Sequence, residues 1–205
     1  MVEPEEIRLY NRLEDLPPAL WEDLAAAPPD RVRSNAGVRF EDGVYTAPFL
    51  GVDHRVDPAG RTITVPEGAH PPGFQAGLVL LNYLAHADEA GLSGQMVPGR
   101  SLRGGEMFFK GPHALNTAPP AKRFGRDAAG FLAAGARLGG TPMPSGDAAF
   151  RLLALPKILL AYTLHLEDDE FPAEVTVTFD ARTDRHLPLD SIWALVNVVS
   201  SRLVG

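Results

Sequence analysis

The stretch from Ala148 to Phe179 constrains the fold most. Within it Ile158, Leu160, Tyr162, Leu164 and Leu166 recur at every second residue, and Val175, Val177 and Phe179 do the same beyond an acidic turn. Side chains alternate across a strand with period two, so each run presents one apolar and one polar face, the pattern of a half-buried antiparallel pair. These segments are the expected central strands. Upstream, GVRFEDGVYTAPFLGVDHRVDPAGRTITV alternates short β-favouring runs with EDG, GVD and DPAG turns, which predicts a meander of about four strands between Val38 and Val65.

Helical spacing occupies the remaining segments. Ile7, Leu9, Tyr10, Leu13 and Leu16 predict a first helix, and Leu20, Trp21 and Leu24 a second, stopped by Pro28 and Pro29. Residues Pro71 to Gly91 carry a stripe of Phe74, Leu78, Leu81 and Leu84, with proline at the start and Gly91 where a C-cap belongs. Ser93 to Pro120 is rich in glycine and proline and reads as loop with one or two short strands. A shorter helix follows, with Asp127 as N-cap and Gly139-Gly140 as its end. The last segment has Asp190 as N-cap and an apolar stripe through Ile192, Leu195, Val198, Val199 and Leu203.

The expected architecture is a single α+β domain over residues 1–205, a mainly antiparallel sheet with helices packed on it. Its segments are an N-terminal helix and meander (1–70), a central helix (71–91), a loop-rich stretch (92–126), and a helix, the central strands and the C-terminal helix (127–205).

The chain has no cysteine, which excludes disulfides, thiolate metal sites and a cysteine nucleophile of its own. No apolar run approaches the ~20 residues of a membrane helix, and the start MVEPEEIRLY is acidic where a signal peptide is basic. A cytoplasmic protein is therefore expected. A net charge of -7 argues against nucleic-acid binding, which needs a clustered basic surface. The charge is uneven, however: Arg100, Arg103, Lys110, Lys122, Arg123 and Arg126 against Glu106 alone give that segment +5 and leave -12 for the rest.

Two places in the sequence could carry chemistry. In the basic segment, Gly104 and Gly105 allow exposed backbone N–H groups, and Arg100, Arg103, Lys110 and His113 offer charge-assisted hydrogen bonds to carboxylate or phosphate. Met107, Phe108 and Phe109 supply an apolar wall, a mixture suited to an amphiphilic anionic cofactor. The plainer reading is a basic surface loop with its aromatics in the core. In the hairpin, His165 and Glu167 share the polar face of one strand and Glu174 that of the next. With Glu170 they form a candidate acid/base set for a hydrolase or lyase. The plainer reading there is an acidic turn that solvates the tip and discourages edge pairing. The six histidines lack metal-ligand spacing, the acidic turn lacks the pattern of a calcium loop, and no metal is expected.

The order LRGGEMFFKGPHAL, Phe124-Gly125, LGGTPMPSGDAAFRLLALPKILLAYTLH, DDEFPAEVTVTFDA and HLPLD resembles the prokaryotic family catalogued as domain of unknown function 3786. The likeness covers nearly the whole chain and is densest from Leu102 to Leu203. It implies an association with corrinoid or related tetrapyrrole chemistry in the one-carbon metabolism of anaerobes, because some members look like fusions to a four-cysteine iron–sulfur module. This sequence has no such module, so a cluster would come from a separate iron–sulfur or methyltransferase partner. Three expectations follow: an accessory protein for a corrinoid or tetrapyrrole, an enzyme using His165, or a module that docks such a partner.

Overall fold

The computed structural model describes residues 12–205. Ile7, Leu9 and Tyr10 of the first expected helix lie outside this range. Leu13–Asp15 form a 3-10 turn, and α1 (Pro18–Ala26) and α2 (Pro29–Ala36) each begin at a proline, whose fixed φ and missing N–H suit a first helical position.

Two antiparallel sheets follow where one was expected. The meander forms β1 (Arg39–Glu41), β2 (Val44–Phe49), β3 (Val52–Asp57) and β4 (Thr62–Thr64), in sequence order. The second sheet has the order β5-β9-β8-β7-β6, with β5 Met96–Pro98, β6 Thr141–Pro142, β7 Ala148–Leu155, β8 Ile158–His165 and β9 Glu174–Asp180. Its centre is the period-two segment: Leu160, Tyr162, Leu164, Val175, Val177 and Phe179 are all buried. Leu155-Pro156 ends β7 and starts the turn into β8, since proline cannot donate to a ladder. The sheets meet at Leu50, whose N–H donates to the Ala154 carbonyl at 3.0 Å.

Helices α3 (Phe74–His86), α4 (Gly105–Phe108), α5 (Ala118–Phe124), α6 (Ala128–Arg137) and α7 (Leu189–Val204) complete the described fold. α7 buries Ile192, Leu195, Val196, Val199 and Leu203 and packs along α3, whose Asn82 amide donates a buried bond at 3.0 Å from Nδ2 to the Ser191 hydroxyl of α7. Where the 13–16 turn crosses α3, a Cβ on Gly77 would lie 2.7 Å from the side-chain ends of both Leu13 and Leu16, so the glycine lets the turn pack closely on the helix. Asp127 caps α6 through the Gly130 N–H at 2.8 Å.

Three boundaries differ from expectation for physical reasons. α3 ends at His86, short of Gly91, because Asp88 and Ala90 are drawn into a polar knot described below. Asp190 lies inside the first turn of α7, whose N-cap is Pro188. The glycine-rich 93–120 segment contains β5, three helical turns and the start of α5 rather than mostly loop, because its aromatics anchor it locally.

Candidate functional site

Residues 99–115 fold back on themselves through glycine. Gly104 has φ +82°, and a Cβ on Gly105 would stand 2.1 Å from the Gly99 carbonyl oxygen, so the two backbones approach as only glycine allows. The Arg103 N–H donates to Asp184 at 2.7 Å. Phe109 packs against Gly99 and edge-on to Phe108; Phe108 stacks on His113 at 4.7 Å; His113 meets the edge of Trp193 of α7 at 5.9 Å. The Trp193 indole N–H reaches the Ala114 carbonyl at 3.3 Å. The aromatic run therefore seats the loop on α7. Lys110 pairs with Glu106 at 3.0 Å, whereas Arg100 and Arg103 point to solvent. The basic segment is not one surface contact: Arg126 is bound to Glu167 at the hairpin, while Arg103 is tied beyond the other end of β9.

Behind this loop runs a groove along the outer face of α7. One part, about 640 Å³, lies between the 112–118 segment and Trp193, Asn197 and Ser201; the other, about 380 Å³, is lined by His70, Phe74 and Arg202. Gln75, Asn197 and Ser201 line both parts, which makes them one groove. Trp193, Asn197 and Ser201 recur every fourth residue and so share a helix face. Among the described residues the lining contains no carboxylate, in a chain of net charge -7. Arg202 is half-buried, has no ion-pair or hydrogen-bond partner among the described residues, and burial pulls its pKa down. It acts electrostatically on His54, which is fully buried, bonds Val52 O through Nδ1 at 2.9 Å and leaves Nε2 without a partner. Burial, against the Val52 bond and with help from Arg202, lowers the pKa of His54 and keeps it neutral at pH 7. Of the eight residues of the basic loop singled out by sequence, none lines the groove; His113 and Phe108 reach it through Trp193.

The hairpin brings its polar residues together as the alternation predicts. His165 pairs with Glu174 and Thr163 with Thr176 across β8 and β9. A depression of about 590 Å³ is bounded by Asp147, His165, Asp168, Phe171 and Glu174. Several acids have backbone duties. The Asp168 carboxylate accepts the N–H groups of Glu170 at 2.8 Å and Phe171 at 2.7 Å, which hold its pKa down, and Asp147 accepts the Leu166 N–H at 2.8 Å. Glu167 is paired with Arg126, and Glu170 is exposed.

A further cluster had no marker in the spacing of the sequence. Fully buried His186 accepts the Asp88 N–H on Nδ1 at 3.3 Å, with the Asp88 carboxylate at 3.6 Å. Arg185 donates to that carboxylate at 2.7 Å, Lys157 Nζ to the Asp88 carbonyl at 2.7 Å, and the Lys157 N–H to the Tyr83 hydroxyl at 3.1 Å. Beside it, buried Asp180 accepts from Ser93 N–H and Oγ–H, Gly94 N–H and Arg182 N–H at 2.8–3.1 Å. Burial raises the pKa of both carboxylates, but these donors outweigh it and hold each below the usual range. Burial lowers that of His186, opposed by Asp88 and aided by Lys157 and Arg185. Among the described residues, no group of three or more His, Asp or Glu is placed to hold a metal ion, and no helix is long and apolar enough to cross a membrane.

The model of the family described as Domain of unknown function (DUF3786) matches residues 28–202. The chain belongs to this family. No curated protein and no solved structure matches it. The segments that carried the resemblance meet in the fold of this DUF3786 chain: LALPK supplies Lys157, VTFDA supplies Asp180 and HLPLD supplies His186, all of them in or beside the buried knot, while LRGGEMFFKGPHAL forms the loop that walls the groove.

Proposed function

We propose that this protein is a ligand-binding accessory protein that takes an amphiphilic anion in the groove along α7. The carrying observation is a half-buried Arg202 that has no ion-pair or hydrogen-bond partner among the described residues, in a groove whose described lining contains no carboxylate. A buried charge without a partner is costly, so such a site gains most from a ligand that brings the opposite charge. Arg202 takes the anionic group as a planar fork, Asn197, Ser201 and Gln75 supply polar contacts, and Trp193 faces the apolar body. Arg100 and Arg103 do not line the groove and act through their positive field.

The resemblance makes carboxylate-bearing corrinoids and tetrapyrroles the first class to test, in a cytoplasmic accessory role with an iron–sulfur or methyltransferase partner. The experiment is native mass spectrometry with an absorption spectrum on protein purified anaerobically from a host that makes both. A bound chromophore lost in Arg202→Gln is the expected result; a bare mass for the parent protein contradicts the reading. A second reading, a hydrolase or lyase, rests on the pairing of His165 with Glu174 over the hairpin depression. It requires a pH–rate profile that His165→Ala alters while folding is retained.

A further inference from the structure

We infer that the chain pairs with a second copy of itself through two oppositely charged tips at the ends of β9. Among the described residues the two most exposed large apolar side chains are Met107, 79% exposed, and Phe171, 66% exposed. Met107 stands in α4 among Arg100 and Arg103, whose guanidinium groups have no ion-pair or hydrogen-bond partner among the described residues. Phe171 stands in the β8–β9 turn beside Asp169 and Glu170, whose carboxylates are equally unpaired; Asp168 holds the turn itself. The first tip carries Arg100, Arg103 and Lys110 against Glu106, which Lys110 pairs, and the second carries Asp168, Asp169 and Glu170, so the two exposed apolar side chains sit in patches of opposite net charge.

One chain cannot bring its own tips together. The basic tip is fastened through Arg103 N–H to Asp184, beyond the C-terminal end of β9, and the acidic tip precedes its N-terminal end. β9 itself spans roughly 20 Å, and the basic segment leaves β5 at Pro98, opposite Thr178 in the C-terminal half of that strand, whereas the acidic turn lies before its N-terminal end. Two copies related by a two-fold axis and laid antiparallel make both contacts at once, basic tip to acidic tip each way, and the assembly closes. Pairing like tips sets like charges against each other, and an open head-to-tail pair leaves one tip of each copy without its opposite.

The test is sedimentation of the full chain without added ligand, at low and at high salt. The proposal expects an average mass that rises with concentration towards twice that of one chain at about 50 mM salt and falls to one chain at about 500 mM, where exposed charges are screened within a few Å. Arg100→Glu with Arg103→Glu, and separately Asp169→Lys with Glu170→Lys, should each sediment as single chains, and an equimolar mixture of the two should pair again. A parent protein that stays monomeric at low salt overturns the proposal. So does association that both charge-reversed variants retain, or two monomeric variants that fail to pair when mixed. If a charge-reversed variant fails to fold by circular dichroism, Met107→Ser and Phe171→Ser take its place, with loss of pairing expected.

Discussion

Ahead of α7, His186, Asp88, Arg185, Lys157 and Asp180 sit in a knot where each charged group has an opposite charge or a backbone group as hydrogen-bond partner. On the last turn of the same helix Arg202 is half-buried with no such partner among the described residues. The two regions lie at opposite ends of α7 and hold similar residue types but differ in whether the described fold completes their hydrogen bonding. Completed charge holds chain segments together: the knot ties the end of α3, the β7–β8 turn and the 180–186 turn. Incomplete charge holds little, and its use lies in what it can still bind.

The largest expected effect of breaking this contrast is at Asp180. Replacing it with Ala leaves the N–H groups of Ser93, Gly94 and Arg182 without their acceptor, and should cost about 3 kcal/mol or more, read as a fall in the urea midpoint at constant slope. Arg202→Gln should do the reverse of what a paired arginine does, changing stability by less than about 1 kcal/mol in either direction while weakening ligand binding roughly tenfold or more.

Acid sharpens the comparison. Burial lowers the pKa of His186 and His54 in the folded protein, so the unfolded chain takes up protons first. Their contribution is complete above the unfolded value of about 6.5 and is lost as pH falls below it, by up to about 1.4 kcal/mol per pH unit for each histidine. Asp88 and Asp180 are depressed in the fold, so their contribution is present above about 3.9 and is lost below that. Stability measured between pH 7.5 and 5 should therefore decline in the parent and decline less steeply in His186→Asn. A flat profile in the parent would remove the knot as a stabilising element. The smallest effect is expected at Arg126→Ala, which breaks an ion pair whose arginine is 85% exposed and should cost under about 1 kcal/mol by the same denaturation measurement.

Period two made β8 and β9 legible, and with them the shared polar face of His165 and Glu174, while the register that sets the two opposite each other came from the structure. Turn chemistry did the same for the meander, and Asp127 for the start of α6. The knot was not legible, since Asp88 and His186 lie 98 residues apart and only tertiary packing joins them. That packing also displaced the expected end of α3. In the basic segment local composition identified a loop and its aromatics but not their direction, and Trp193 turned them inward. The groove left one trace, the Trp193, Asn197 and Ser201 spacing opposite the apolar stripe of α7, which becomes meaningful only once α3 and the 112–118 segment stand beside it.

The proposal that Arg202 anchors an amphiphilic anion is tested most directly by titrating the protein with uroporphyrin, a polycarboxylate tetrapyrrole, and following its absorption band. The account predicts saturable binding that Arg202→Gln weakens roughly tenfold or more, about 1.4 kcal/mol, with the fold intact. Equal affinity in the parent and in Arg202→Gln, or no binding to the parent at all, would contradict it.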